Sequence, residues 1–257
     1  MTEVTAVEAI TSTPSRKPTN GETLITLVLD ETGSMSSCLQ PTISSVNEYM
    51  QSQRNADGVA KASLYTFSDI GNFSKSFTTM RSMNINQKMA DARATKESVR
   101  TVFENVDIGE VGELTTENYK PDGMTNLYDA IGSTIRNIES QLAPLTEVPN
   151  VLVVIVTDGG ENSSKEFTLE GIRNMVKEKE AEGWTFVYLG ANQDAWSVGA
   201  SFGLSKGQTM TYSTNAMADT MRNLSNATAV YRSARIGGSD LEGTVAKDFF
   251  GDNGGNA

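Results

Sequence analysis

The chain has 257 residues and a formal net charge of −11. That length suits one large α/β domain, and the charge argues against a nucleic-acid backbone or an anionic membrane surface as the main partner. It has no histidine, which removes Ser-His-Asp and Cys-His nucleophile systems, the usual zinc ligands and the commonest general base, and leaves oxygen donors suited to hard cations.

Residues 1–22 are rich in Thr, Ser and small side chains, hold Pro14 and Pro18, and show no sustained period. They read as a tail, flexible or clamped by a partner. No apolar signal-peptide core and no apolar run of roughly 20 residues, the length of a membrane span, occurs. The expectation is a protein not secreted by a classical signal peptide, placed in a cytoplasm or in a particle assembled inside a cell. The single cysteine, Cys38, permits no intrachain disulfide.

Leu24–Leu29 is almost wholly branched and apolar without polar alternation, which predicts a strand buried on both faces of a parallel sheet. The character then changes at Asp30-Glu31-Thr32-Gly33-Ser34, where Asp30, Thr32 and Ser34 put three oxygen-bearing side chains on one turn. Such turns at the carboxyl ends of parallel strands form the binding crevices of open α/β sheets. Pro41 suits a helix start, and Ile43, Val46 and Met50 keep one apolar face to about Arg54. Ala62–Phe67 reads as the second strand. Asp69, after it, reads as a turn carboxylate, with a second acidic ligand as the alternative.

Glu113–Asp122 is polar. Gly123 permits a tight turn, Thr125 follows, and Leu127, Ile131, Ile135, Ile138 and Leu142 mark the buried face of a helix that Pro144 and Pro149 end. Val151–Thr157 is the most hydrophobic strand, expected at the centre of the sheet, with Asp158 emerging from it as Asp30 does from the first. Leu169, Ile172 and Val176 set a further helix closed near Gly183. Trp184–Leu189 is the next strand, and Asn192 and Asp194 beyond it read as caps of the following helix, with the binding crevice as the alternative. A short strand at Thr209–Ser213, a helix through Met217, Met221, Leu224, Thr228 and Tyr231, and a tail over 237–257 complete the chain.

Three segments together resemble the von Willebrand factor type A family with its metal-ion-dependent adhesion site. They are Asp30-Glu31-Thr32-Gly33-Ser34, then Asp122-Gly123-Met124-Thr125-Asn126-Leu127-Tyr128-Asp129-Ala130-Ile131, and Val151–Asn162 with its Thr157-Asp158-Gly159-Gly160 turn. The resemblance runs from about Thr23 to Tyr212 and implies a Rossmann-like, doubly wound and mostly parallel sheet flanked by helices, with one antiparallel edge strand. It divides the chain into a tail (1–22), the domain (23–213), a C-terminal helix (214–236) and a second tail (237–257). Val99–Val106 then corresponds to the edge strand, and residues 71–97 to an insertion. The run from Lys75 to Arg100 carries six Lys and Arg against Asp91 and Glu97, with Met80, Met83 and Met89 interleaved, so it reads as a solvated flap or a partner-binding surface.

The resemblance also implies a site. Thr32, Ser34 and Thr125 would bind a divalent cation through hydroxyls, with Asp30 and Asp158 as an anionic ring acting at least partly through water. Magnesium is the expected ion, with manganese and calcium as alternatives. Neutral hydroxyls leave the cation able to take one more anionic ligand, an Asp or Glu from a protein partner. Thr32 stands where serine is more usual and keeps the hydroxyl. Glu31 could raise the local negative potential, and its side chain is expected to point away from the site. Gly190–Ala195 resembles the bacterial and, especially, the bacteriophage members, which implies a virion structural or accessory protein contacting neighbouring subunits of a viral particle. An adaptor for a MoxR- or chelatase-type AAA+ ATPase is the alternative, and hydrolysis by a metal-bound water is a weaker third.

Overall fold

The computed structural model describes residues 21–70, 98–236 and 244–251. Residues 1–20 of the tail expected over 1–22, and the insertion over 71–97, lie outside the described residues. In chain order the elements are β1 (Thr23–Asp30), a 3-10 turn (Gly33–Cys38), α1 (Leu39–Arg54), β2 (Ala60–Phe67), β3 (Val99–Asp107), α2 (Leu127–Leu142) and β4 (Asn150–Thr157). There follow α3 (Leu169–Ala181), β5 (Thr185–Ala191), α4 (Ala195–Phe202), β6 (Thr209–Tyr212), α5 (Met217–Ile236) and α6 (Thr244–Lys247).

The strands form one six-stranded sheet in the order β3-β2-β1-β4-β5-β6. All neighbours are parallel except β2 and β3, so the antiparallel strand is the edge strand the sequence predicts. β1 and β4 are buried along their whole length because helices cover both faces, and that burial is why neither shows polar alternation. Successive side chains still part to opposite faces. Ile25, Leu27 and Leu29 join α1 and α5 in one core, while Leu24 and Val28 join α2, α3 and α4 in the other. On α2 the spacing of Ala130, Ile131, Ile135 and Ile138 buries one stripe completely. Each such isoleucine contributes roughly 1.5–3 kcal/mol of burial.

Two boundaries differ from the sequence expectation for physical reasons. The turn after β1 is already wound as a 3-10 helix, so α1 begins at Leu39, with Pro41 inside its first turn, where a missing N–H costs nothing. Residues 237–257 were expected to be a tail, yet within them α6 and the residues after it pack on the domain. Phe249 and Phe250 are 5% exposed, Phe249 lies 5.9 Å from the Tyr231 ring, and the Phe250 N–H donates to the Gly207 carbonyl at 2.9 Å. Two adjacent aromatic side chains outweigh the surrounding glycine and asparagine once α5 offers them a seat.

Candidate metal centre

Strand order decides where a site can lie. From β1 the chain builds outward to β2 and β3, then returns to β4 on the other flank of β1. The carboxyl ends of β1 and β4 therefore bound the crevice where the winding direction reverses. Asp30 is the last residue of β1, Asp158 follows the last of β4, and the ladder sets Leu29 opposite Val156.

Asp30 is fully buried. Its Oδ1 accepts the Thr32 N–H at 2.7 Å, and its Oδ2 accepts the Thr157 hydroxyl at 2.5 Å. Burial pushes its pKa up to about 6, opposed by the hydrogen bonds from Thr157 and Thr32 and assisted by the Asp158 charge. The Tyr119 hydroxyl donates to the Asp30 carbonyl at 2.6 Å, and burial pushes that phenol's pKa up, which keeps it a donor.

The other expected donors gather around this carboxylate. Ser34 Oγ donates to Asp158 Oδ1 at 2.6 Å and lies 3.1 Å from Thr32 Oγ1. Thr125 comes in from the second loop: a Cβ on Gly159 would stand 2.8 Å from Thr125 Oγ1 and 3.8 Å from Asp30 Oδ2. Gly159 is thus a cradle that a side chain would fill. Gly123, at φ +89°, brings the second loop close, since a Cβ there would lie 2.7 Å from the Asp69 carbonyl oxygen. The Gly33 N–H donates to the Gly123 carbonyl at 3.1 Å and ties the first loop to the second.

Several residues that sequence reasoning left without a role hold these loops. Asn162 Oδ1 accepts the Thr125 N–H at 2.9 Å, while the Asn162 N–H donates to the Thr125 carbonyl at 2.9 Å. Asp129 accepts the backbone N–H groups of Lys165, Glu166 and Phe167. Glu161 accepts those of Tyr128, Ser163 and Ser164. Thr157, Asp129, Glu161 and Asn162 all fall within the recognised motif segments, but nothing in their order separates a brace from a donor.

The remaining acidic residues resolve as follows. Asp69 pairs with Met124 through its backbone and with Lys165 Nζ at 2.6 Å through its side chain, as a turn carboxylate does. Asp194 caps α4, accepting the Ser197 N–H at 3.1 Å. Glu31 is 1% exposed and takes Arg100 Nη2 at 3.1 Å and the Lys120 N–H at 2.6 Å. Arg100, grouped by sequence with the basic insertion, is a β3 residue engaged with the first loop.

These donors fit a hard divalent cation. They comprise two carboxylates and three hydroxyls from three loops, in mutual hydrogen-bond distance or around the Gly159 cradle, and hard cations favour oxygen. Among the described residues no group of three or more Asp, Glu or Cys side chains gathers as a metal cluster.

No protein-family pattern matches the chain, and no curated protein matches it. Among solved structures, the pilus adhesin SpaC from Lactobacillus rhamnosus GG, in its open conformation, is similar with a TM-score of 0.57 and 13% identity. The match covers 84% of this chain and 31% of the adhesin, so the chain spans under a third of that protein. A von Willebrand factor type A protein from Catenulispora acidiphila aligns with a TM-score of 0.49 and 10% identity, over 81% of this chain and 43% of that one. The likeness to the adhesin is one of fold: a helix-flanked, mostly parallel sheet.

Among the described residues no helix is long and apolar enough to cross a membrane.

Proposed function

We propose that this chain is a non-enzymatic protein-interaction module that captures a partner's Asp or Glu side chain through a divalent cation. Thr32, Ser34, Thr125, Asp30 and Asp158 would hold the ion, magnesium first and manganese or calcium as alternatives. The observation that carries this reading is the approach of three loops, with Ser34 Oγ 2.6 Å from Asp158 Oδ1 and 3.1 Å from Thr32 Oγ1, and Thr125 Oγ1 beside the Gly159 cradle. When bound, the cation supplies a coordination position for an anionic ligand.

The protein's own part is to pre-organise the donors. Thr157 and the Thr32 N–H fix both Asp30 oxygens, and the Gly159 cradle leaves Thr125 Oγ1 room beside them. The missing histidine and the hydroxyl-rich set support ligand capture over general-base hydrolysis. The fold likeness to a pilus adhesin is in keeping with an adhesive role. The proposed setting, a bacteriophage virion or a bacterial host cytoplasm with neighbouring subunits as partners, rests on the resemblance of Gly190–Ala195 noted above.

Titration calorimetry of metal-stripped protein with magnesium and manganese tests the reading, followed by acetate as the probe carboxylate. Metal binding lost in Asp30→Ala and Ser34→Ala, together with acetate binding that requires the metal, is the expected result. No binding at millimolar metal would overturn it.

A further inference from the structure

Between the two donors Asp30 and Thr32 stands a third acidic side chain that the proposed cation does not use. Glu31 is 1% exposed, and a carboxylate at that depth carries a desolvation cost that an apolar side chain would avoid. Its contacts show what that charge is engaged with. Oε1 accepts the Lys120 N–H at 2.6 Å, and both oxygens accept Arg100 Nη2, at 3.2 and 3.1 Å. Arg100 Nη2 also donates to the Asn118 carbonyl at 2.6 Å. The backbone of Glu31 is held as firmly: its N–H donates to the Phe67 carbonyl at 2.9 Å, and its carbonyl accepts the Asp122 N–H at 2.9 Å.

One residue of the first loop is therefore fastened to β2, to β3 and to the segment Asn118–Asp122. That segment runs directly into Gly123 and Thr125, the second loop of the candidate site. It also grips the neighbouring donor, through the Tyr119 hydroxyl on the Asp30 carbonyl. The Glu31 and Arg100 side chains thus join the loop of Thr32 and Ser34 to the segment leading into Thr125, alongside the Gly33–Gly123 backbone bond.

We infer that Glu31 and Arg100 form a positioning clamp that fixes the distance between the two hydroxyl-bearing loops and thereby selects a small divalent cation over a large one. The inference rests on the cation-binding reading above. Magnesium demands near-ideal octahedral geometry at about 2.0–2.1 Å, whereas calcium accepts irregular shells at about 2.3–2.6 Å. A rigid inter-loop distance favours the former, and a slackened one favours the latter. Neither clamp side chain is assigned as a ligand.

Calorimetric titration of metal-free wild type, Glu31→Gln and Arg100→Gln with magnesium and with calcium tests this, with the metal-free melting temperature of each variant recorded alongside. Both substitutions are expected to weaken magnesium about 10- to 100-fold, the range found when residues that orient metal ligands are changed. Calcium should weaken clearly less, so the magnesium-to-calcium preference falls in both variants.

The sign of the Arg100→Gln effect separates geometry from charge. If Glu31 and Arg100 acted only through the local potential, removing the cationic side chain would tighten both ions. That outcome, an equal loss for both ions or no change would each overturn the clamp. If Glu31→Gln does not fold, Arg100→Gln carries the same test, its side chain being 31% exposed. If wild type binds neither ion, the cation-binding reading itself has failed and the clamp falls with it, an outcome distinct from wild-type binding with unchanged selectivity.

Discussion

Two pairs of carboxylates share the carboxyl edge of the sheet and serve opposite ends. Asp129 and Glu161 are surrounded by backbone N–H groups, three on Asp129 from Lys165, Glu166 and Phe167 and three on Glu161 from Tyr128, Ser163 and Ser164. A backbone amide is a donor only and has no lone pair to turn toward a cation, so these contacts brace the second and third loops. Asp158 accepts the Ser34 hydroxyl, and Asp30 accepts the Thr157 hydroxyl beside a single amide, that of Thr32, whereas Glu161 adds only the Ser164 hydroxyl to its three amides. A hydroxyl can rotate and offer its lone pair to a cation in place of its proton. Both pairs are carboxylates, and what differs between them is the balance of amide and hydroxyl partners.

The comparison breaks first at the donors themselves. Asp30→Ala and Asp158→Ala should each weaken magnesium by more than about 100-fold, beyond the 10- to 100-fold range typical of supporting residues, as titration calorimetry would show. If either bound magnesium normally, that aspartate would belong with the braces. Asp129→Ala should do the reverse. It takes the shared acceptor from three part-buried N–H groups, so urea denaturation of metal-free protein should report a loss of about 1–2 kcal/mol. Loss of magnesium binding with stability intact would place Asp129 among the donors.

Acidity sharpens the same contrast. The Asp30 carboxyl is raised from 3.8 to about 6 by burial, so between those values the folded chain holds a proton that the unfolded chain has released. Its contribution to metal-free stability is complete below about pH 4 and is lost as pH rises through 6, amounting to roughly 3 kcal/mol. Magnesium competes with that proton, so affinity should strengthen as pH rises from 5 to 7. Asp30→Asn should remove Asp30's part of the stability slope, and an unchanged slope would show that another group carries it.

The smallest expected effect probes the cradle. In Gly159→Ala the new Cβ would lie 2.8 Å from Thr125 Oγ1, so magnesium should weaken about tenfold, as for other changes that disturb ligand orientation, with little change in melting temperature. Normal affinity would mean that Thr125 has room to move and is not held as a donor.

Much of this architecture was legible in the sequence. Buried parallel strands betray themselves by apolar runs without alternation, as at Leu24–Leu29 and Val151–Thr157, because both faces meet helices. Oxygen-bearing turns after those strands mark where the crevice opens, and the helical spacing of Leu127 to Leu142 matches the observed α2 residue for residue. What periodicity could not show was the packing of Phe249 and Phe250, because their seat is made by α5 and the Gly207 turn, remote in sequence. Nor could it show that Arg100 leaves the basic run to meet Glu31 across 69 residues.

The sequence by itself determined the order of elements and the chemical types at each strand end, since both follow from local propensity and burial along a single segment. Only the tertiary structure decided which carboxylates take three amides and which take hydroxyls with one amide or none. That choice depends on the distance between loops, and the distance is set by contacts such as Glu31 with Lys120 and Asn162 with Thr125, which no local pattern encodes.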